Sequence, residues 1–304
     1  MSVLQPTRDN LLWVANEISE GRLAILPTET VYGLAADANN PEAVANIFKL
    51  KGRPADNPLI VHIASVKQIE QFASAIPESV QYLAEAFMPG PLTLVLPKRP
   101  TVSDILTAGL DTVAIRLPDH PACLAVMELG SLALAMPSAN LFMGLSPTRV
   151  EMIDLQLAKR VAAVVDGGPC AVGIESTVLD LTGEPTILRE GSVTRQNIES
   201  VLNRSIGVGA KSRKSPGMYK RHYAPRTKCK ILLKIGRSEP GLVFEEPANE
   251  NQIQMPKDPS AYAHLLYASL ADLDSRGLTE FFVEPPPDTH EWIAVWDRLS
   301  KATY

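Results

Sequence analysis

The chain has few cysteines, with only Cys123, Cys170 and Cys229 among its 304 residues. These three lie far apart and form no CxxC pair, so neither a disulfide framework nor a zinc knuckle is expected. No segment approaches the roughly 20 apolar residues that a membrane-spanning helix needs. The N-terminal residues also lack the apolar core of a signal peptide. The sequence therefore predicts a soluble, cytoplasmic protein with no role at a membrane.

The sequence also lacks the common motifs of nucleotide-binding proteins and hydrolases. It contains no GxxxxGK[ST] phosphate loop, no GxGxxG after the first predicted strand, and neither HExxH nor GxSxG. Aromatic residues make up 6% of the chain and its formal net charge is -5, which argues against a protein that mainly binds nucleic acid. A nucleotide site in this chain must therefore be of another kind than a P-loop.

The first two thirds of the sequence alternate between strand-like and helix-like segments. Strands are predicted at 23–26, 58–63, 92–96, 112–117, 131–136, 161–165, 176–181 and 186–189. Helices are predicted at 41–50, 66–73, 78–87, 121–129, 149–159 and 194–202, after a first helix that Thr7 caps and Gly21 ends. The runs at 131–136 and 161–165 are continuously apolar, as in a sheet covered on both faces. This pattern predicts an α/β fold.

A basic segment separates this part from the C-terminal remainder. Between residues 204 and 230 there are nine lysines and arginines and no Asp or Glu, and glycines and prolines interrupt the run. Such a composition is typical of a linker. Beyond it, strands near 230–234, 241–245 and 281–284 and helices near 259–275 and 289–301 predict a small βα domain for docking or regulation. The predicted domains are 1–203, a linker at 204–228, and 229–304.

Polar residues follow two of the predicted strands. Residues 27–35 come directly after the strand at 23–26 and are rich in hydroxyls, with one carboxylate and one glycine. Residues 136–140 close the apolar strand before them in the same way. Because α/β sheets bind ligands at the carboxyl ends of strands, both segments are predicted to line a site for a polar ligand.

Lys51 and Arg53 lie two residues apart in a proline-flanked segment. Pro54 disfavours a helical backbone for Arg53, so we expect an extended segment with both side chains on one face. The two cations would then form a clamp for a phosphate or a carboxylate. The alternative is a solvated basic turn, against which the flanking Pro-x-x-Asn-Pro sequence argues.

Two predicted strands carry a polar residue on one face. Alternation in 58–63 places His62 and Ile60 on the face opposite the other apolar residues. Alternation in 112–117 places Arg116 on the face opposite the apolar residues, next to the small Ala114. A small neighbour leaves room for a ligand beside the guanidinium. The alternatives are a satisfied core histidine and a structural ion pair for the arginine.

These segments form an ordered series that resembles the YrdC/Sua family of threonylcarbamoyl-AMP synthases. The resemblance covers residues 8 to 227, and its linker is similar to that of the two-domain members. The segments that carry it are PTETVYGL at 27–34, KGRPADNPLIVHI at 51–63, PGPLTLVL at 89–96, AGLDTVAIRLPDHP at 108–121, PSAN and SPT at 137–148, GIESTV at 173–178, and SPGMYKRHYAP at 215–225.

The resemblance implies a YrdC-like twisted open sheet with helices on its faces, followed by a small, truncated Rossmann-like domain. It also implies a nucleotidyltransferase that makes threonylcarbamoyl-AMP from L-threonine, bicarbonate or CO2, and ATP, with release of pyrophosphate. This reaction is the first step of the threonylcarbamoyladenosine modification of tRNA. The implied cofactor is Mg²⁺ carried by ATP, with no protein side chain as a metal ligand.

The resemblance further implies a role for each matching residue. Lys51 and Arg53 would be the catalytic cations. The residues that would bind threonine are Thr30, His62, Arg116, Ser138 and Ser176. Those that would bind ATP are Lys51, Arg53, Asn57, Thr112, Met136 through its backbone, Asn140, Ser146, Arg189 and, from the linker, Tyr223. The implied partners are a downstream threonylcarbamoyl transferase and, through the basic linker, tRNA.

Two other functions compete with this one. A non-catalytic RNA-binding module would use the basic linker to follow phosphates. A carbamoyl-adenylating relative would act on another amine or on carbamoyl phosphate. Release of pyrophosphate that depends on threonine separates both from the synthase.

Overall fold

The computed structural model describes residues 2–209 and 222–303, which form two sheets with their helices. The strands of the first sheet are β1 Val3–Leu4, β2 Ala24–Leu26, β3 Gly33–Asp37, β4 Ile60–His62, β5 Leu92–Pro97, β6 Thr112–Arg116, β7 Leu134–Ala135, β8 Ala163–Val165, β9 Thr177–Asp180, β10 Thr186–Arg189 and β11 Gly207–Val208. They lie in the order β1-β8-β2-β3-β7-β4-β6-β5-β9-β10-β11. Strand directions are mixed, since β6 is parallel to β4 and antiparallel to β5.

Helices cover both faces of this sheet. They are α1 Arg8–Ser19, α2 Pro41–Lys51, α3 Ile69–Phe72, α4 Ser79–Phe87, α5 Asp104–Thr107, α6 Pro121–Gly130, α7 Leu155–Ala158 and α8 Arg195–Leu202, with 3-10 turns at Val66–Gln68 and Val150–Met152. Along β2, Ile25 packs into the core under α2, α4 and α8, whereas Ala24 and Leu26 pack into a second core under α1 and α6. The strands are therefore buried on both faces, and the predicted α/β fold is confirmed.

The C-terminal residues form a separate parallel sheet. Its elements are β12 Lys228–Ile231, β13 Gly241–Val243, β14 Gln252–Gln254, α9 Pro259–Ser275, β15 Glu280–Val283, a 3-10 turn at His290–Trp292, and α10 Ile293–Ala302. The strands lie in the order β12-β15-β13-β14, and every neighbouring pair is parallel. The basic residues of the linker at 210–221 lie outside the described part of the chain. None of the described helices is both long and apolar enough to cross a membrane.

Two predicted elements are shorter than expected because local backbone geometry interrupts them. The strand predicted at 131–136 pairs only at Leu134–Ala135, since Ser131 adopts a left-handed conformation (φ 51°) that ends α6. The helix predicted at 149–159 is divided at Ile153, which is extended, and Asp154 starts a new helix by accepting from the backbone N–H of Gln156 at 2.7 Å.

Strand β3 was not predicted, because its first residues belong to the polar segment that follows β2. The hydroxyl of Thr28 accepts from the backbone N–H groups of Thr30 and Val31, at 3.2 and 3.1 Å. This turn reverses the chain, so that Gly33–Asp37 pairs antiparallel with β2. The polar segment is therefore the tip of a hairpin between two buried strands.

Gly191 is required where the chain leaves β10. A Cβ atom at Gly191 would lie 2.4 Å from the backbone nitrogen of Thr177 on the neighbouring strand. We expect Gly191→Ala to lower the free energy of unfolding by about 1–3 kcal/mol, because one of the two backbone segments must move apart. Urea denaturation followed by circular dichroism measures this.

Gly183→Ala is the matched control for this substitution. Gly183 lies in the turn that joins β9 and β10, and a Cβ atom there would meet nothing within 4 Å. Equal stability of the two variants would contradict the close approach at Gly191.

Candidate active site

A cavity, partly open to solvent, lies against the large sheet at strands β3, β4 and β6. His62 and Arg116 end the parallel strands β4 and β6, whereas β7 is antiparallel to β4, so that Ser138 after β7 lies toward the start of β4. Strand β9 is parallel to β5 and therefore antiparallel to β6, so its start lies beside the end of β6. The wall consists of Thr28, Thr30, Val31, Gly33, Arg53, Pro58, Leu59, Ile60, His62, Arg116, Met136, Pro137, Ser138, Glu175, Ser176, Arg189, His222 and Tyr223.

Lys51 and Arg53 lie on either side of a helix end. The expectation that both belong to one extended segment was therefore wrong. Lys51 is the last residue of α2, and Gly52 ends the helix in the left-handed conformation (φ 62°). The Lys51 ammonium donates to the backbone carbonyls of Ser138 and Asn140. Burial, together with the nearby Arg53 cation, holds the pKa of Lys51 well below its usual value. An anion beside this ammonium would favour its charged form.

The Arg53 guanidinium is held by the loop that follows it. Its Nε donates to the carbonyl of Asn57 at 3.0 Å, and its Nη2 donates to the Asn57 side chain and to the carbonyl of Pro58 at 2.9 Å. Asn57 therefore orients Arg53 from behind, whereas Arg53 itself lines the cavity. The Pro-x-x-Asn-Pro loop thus fixes the position of the guanidinium through these hydrogen bonds.

Arg116 forms a structural ion pair, which was the alternative to a ligand contact in the sequence analysis. Its Nη2 lies 2.7 Å from Oε1 of Glu29, both side chains are buried, and its Nε donates to the carbonyl of Gly90 at 3.3 Å. Within the described residues neither Glu29 oxygen has a hydrogen bond of good geometry. The guanidinium also lines the cavity, so a ligand carboxylate can compete with Glu29 for it.

His62 supplies a neutral acceptor or donor to the same wall. Burial and the neighbouring Arg116 cation hold its pKa well below the usual value. Its Nδ1 is buried without a hydrogen-bond partner among the described residues. Nearby, the hydroxyls of Thr28 and Thr30 lie 2.9 Å apart and form a pair at the hairpin tip. Burial of an unpartnered nitrogen such as Nδ1 of His62 lowers the stability of the fold unless a ligand or a water molecule forms a hydrogen bond with it.

Ser176 connects β5, β9 and β10 at the cavity wall. Its hydroxyl lies 2.8 Å from that of Thr93 and accepts from Nη2 of Arg189 at 3.0 Å, while Arg189 Nε donates to the Ser176 carbonyl at 3.0 Å. On the opposite side Ser138 donates to the amide oxygen of Asn140. The hydroxyl positions are therefore fixed before any ligand binds.

Glu175 is a wall residue to which the sequence analysis gave no role. Its Oε1 accepts from the hydroxyl of Ser146 at 2.6 Å, and its Oε2 accepts from Tyr267 at 2.9 Å and Arg298 at 3.0 Å. Burial opposes its ionisation, but the cations of Arg298 and Arg189 outweigh burial and lower the pKa of Glu175 to about 2. Two of its partners belong to the C-terminal domain, far away in sequence, so no local pattern could have revealed them.

The linker enters the wall through His222 and Tyr223. The two rings meet edge to face with centroids 4.0 Å apart, and Tyr223 adopts a left-handed backbone conformation (φ 56°). Burial raises the pKa of Tyr223 to about 12, and burial lowers that of His222 to about 3. The preceding part of the linker segment, 215–221, lies outside the described residues.

Two family models match the chain. The model Sua5_yciO_yrdC, described as "Telomere recombination", matches residues 16–191. The model Sua5_C, described as "Threonylcarbamoyl-AMP synthase, C-terminal domain", matches residues 193–303. The chain belongs to the Sua5/YciO/YrdC family. The resemblance that the sequence motifs indicated is thereby confirmed.

Relatives within the Sua5/YciO/YrdC family match nearly the whole chain. The threonylcarbamoyl-AMP synthase of Bacillus subtilis is 40% identical, over 94% of this chain and 90% of the relative. That of Pyrococcus abyssi is 38% identical, over 95% and 92%. A crystal structure of P. abyssi Sua5 complexed with L-threonine has a TM-score of 0.89 at 35% identity, covering 99% of this chain and 97% of that one.

The residues to which the family resemblance gave a role separate into three groups. Those on the cavity wall are Thr30, Arg53, His62, Arg116, Met136, Ser138, Ser176, Arg189 and Tyr223. Lys51, Asn57, Asn140 and Ser146 lie behind the wall and bond to it. Thr112 starts β6, four residues and about 13 Å from Arg116 along the strand. The structure does not bring it to this wall, and its role toward ATP stays a prediction.

The neutral state of His222 makes stability sensitive to acid. Its folded pKa of about 3 lies below the unfolded value near 6.5, so the unfolded chain binds a proton first and stability falls as pH drops below about 6.5. We expect His222→Gln to reduce the loss of unfolding free energy between pH 7 and pH 5 by about 2 kcal/mol.

Urea denaturation at the two pH values measures this difference. The exposed His290, replaced by glutamine, is the control for the loss of a histidine. An acid sensitivity that His222→Gln leaves unchanged would contradict the buried neutral ring.

Proposed function

We propose that this protein makes threonylcarbamoyl-AMP from L-threonine, bicarbonate or CO2, and ATP, and releases pyrophosphate. Its family relatives over the whole chain carry the name of this enzyme, and one structure of that fold is described with L-threonine. The observation that carries the proposal is a single cavity edged by hydroxyls and buried cations. Such a site suits an anionic nucleotide together with an amino acid.

The threonine end of the cavity would be formed around Arg116 and His62. The Arg116 guanidinium would take the threonine carboxylate as a bidentate partner, in competition with Glu29 for Nη2. The unpartnered Nδ1 of His62 would bond to a polar group of threonine. The hydroxyls of Thr30, Ser138 and Ser176 would complete this part of the site.

The nucleotide end would be formed around Arg53 and Arg189. Their guanidiniums line the wall, and the Lys51 ammonium lies behind it at the Ser138 and Asn140 carbonyls. Asn57, Asn140, Ser146, the Met136 backbone and Tyr223 would add contacts to ATP. Three cations near one triphosphate would offset much of its charge.

Mg²⁺ would enter this site with ATP. Within the described residues no three His, Cys, Asp or Glu side chains lie close enough to hold a metal ion. Glu175 on the cavity wall and Glu29 beside Arg116 are both ion-paired with arginines. The triphosphate itself therefore offers the ligands that Mg²⁺ prefers.

The reaction needs no covalent enzyme intermediate. The threonine amine forms a bond to the carbon of CO2 and loses a proton, which gives a carbamate. A carbamate oxygen then attacks the α-phosphorus of ATP, and the bond to the bridging oxygen of pyrophosphate breaks. Catalysis can therefore rest on positioning and on neutralisation of charge by Lys51 and Arg53.

The product is a mixed anhydride that water would hydrolyse. Tyr223 and His222 cover the cavity from the linker side and would limit the access of water. A downstream transferase must take this product for the modification of tRNA, in the same cytoplasmic compartment. Direct binding of tRNA by the basic linker is a further part of the proposal.

The decisive experiment measures pyrophosphate released from MgATP in the presence of bicarbonate. We expect release to require L-threonine, with L-serine a poor substitute because it lacks the methyl group. Release that threonine does not affect, from a protein that still binds ATP, would refute the proposal and direct the search to other amines or carbamoyl donors.

Lys51→Ala and Arg53→Ala test the two cations separately. We expect each to lower kcat by about 100-fold or more, because each removes positive charge from the place where negative charge develops. Lys49→Ala is the matched control, since this exposed lysine lies on the same helix two residues before Lys51. Near-normal turnover in both variants, with unchanged circular dichroism, would refute the assignment.

A further inference from the structure

The C-terminal domain is joined to the cavity wall through one buried arginine. Arg298 on α10 is completely buried. Its Nε donates to the Glu175 carboxylate and its Nη2 donates to the Glu175 carbonyl, both at 3.0 Å. Its Nη1 donates to the carbonyl of Glu190 at 2.6 Å. One side chain therefore fixes the segments that precede β9 and follow β10.

Both of these segments contribute directly to the site. Glu175 and Ser176 line the cavity just before β9, and Arg189 ends β10 one residue before Glu190. The Arg298 guanidinium also lies 5.7 Å from the centre of the Tyr223 ring, within the range of a cation–π contact. Arg298 thus touches three parts of the wall without lining the cavity itself.

Close packing around Arg298 fixes the position of the C-terminal domain against the first domain. Val31, Ile174 and Tyr223 belong to the same buried cluster as the core of the C-terminal domain. A Cβ atom at Gly173 would lie 2.5 Å from the carbonyl of His264 on α9. The loop before β9 therefore lies directly against α9, with little freedom to shift.

We propose that Arg298 is a positioning residue for the nucleotide end of the site. It fixes the Glu175 carboxylate, and Glu175 in turn holds the Ser146 hydroxyl at 2.6 Å. This inference rests on the proposed function, in which Ser146 and Tyr223 contact ATP. The C-terminal domain is accordingly part of the active site, in addition to any docking role.

Removal of Arg298 would change the proton affinity of Glu175. Burial raises the pKa of this carboxyl, and the Arg298 cation is the strongest group that opposes burial. A protonated Glu175 would carry a hydrogen and lose acceptor strength toward Ser146. The described charged or titratable groups that face Glu175 are Arg189 at the end of β10, His222 and Tyr223 in the linker, Tyr267 on α9, and Asp297, Arg298 and Lys301 on α10.

The test compares Arg298→Gln with the natural protein between pH 5.5 and pH 9. We expect KM for ATP at pH 8 to rise about tenfold, the order of one charged hydrogen bond. We also expect kcat/KM to fall more steeply toward pH 5.5 than in the natural protein, because Glu175, without the Arg298 cation beside it, protonates at higher pH. In Glu175→Gln/Arg298→Gln, which cannot titrate at this position, this additional loss should disappear.

Arg276→Gln is the control, since it removes an arginine of the same domain that pairs with Asp272 near the surface. An Arg298→Gln enzyme with reduced kcat but an unchanged pH profile and KM for ATP would overturn the proposal. If Arg298→Gln does not fold, Tyr267→Phe removes one donor to the same Glu175 oxygen without changing charge. It should raise KM for ATP by less than Arg298→Gln does, and an unchanged KM for ATP would also overturn the proposal.

Calorimetric titration with MgATP keeps this inference separate from the proposed reaction. A natural protein that binds ATP but releases no pyrophosphate with threonine would refute the reaction. The weakening of ATP binding by Arg298→Gln would still be measurable in that protein, and its absence would refute the positioning role alone.

Discussion

The ion pair between Glu175 and Arg298 is the interaction on which the arrangement of the site depends. It joins residues 123 positions apart, and both side chains are buried. A buried carboxylate is stable only when charges and hydrogen-bond donors surround it. Glu175 takes one donor from its own domain and two from the other domain. Glu175 therefore belongs both to the cavity wall and to the interface between the two domains.

The balance of charge around the cavity explains why the site suits an anion. Lys51, Arg53 and Arg189 are all buried there, and their partners include backbone carbonyls, the Asn57 amide oxygen and the Ser176 hydroxyl. A triphosphate would place negative charge beside these buried cations, where the attraction between opposite charges is stronger than in water.

Much of this site could be predicted from the sequence, because polar residues at strand ends are a local pattern. Thr30 and Ser138 follow apolar strands, and the structure brings both to the cavity wall. The helix end between Lys51 and Arg53 was misread as extended, although Gly52 is the residue type that ends helices in the left-handed conformation. Glu175 was beyond reach, since its partners are defined only by the packing of α9 and α10 against the catalytic domain.

The neutral groups of the wall complete the physical argument. Burial keeps the imidazoles of His62 and His222 uncharged and the Tyr223 phenol protonated. These rings can therefore exclude water and donate or accept hydrogen bonds without adding charge. A cavity that combines buried cations with neutral aromatic cover favours the transfer of a nucleotidyl group to a weak oxygen nucleophile, because water competes poorly there.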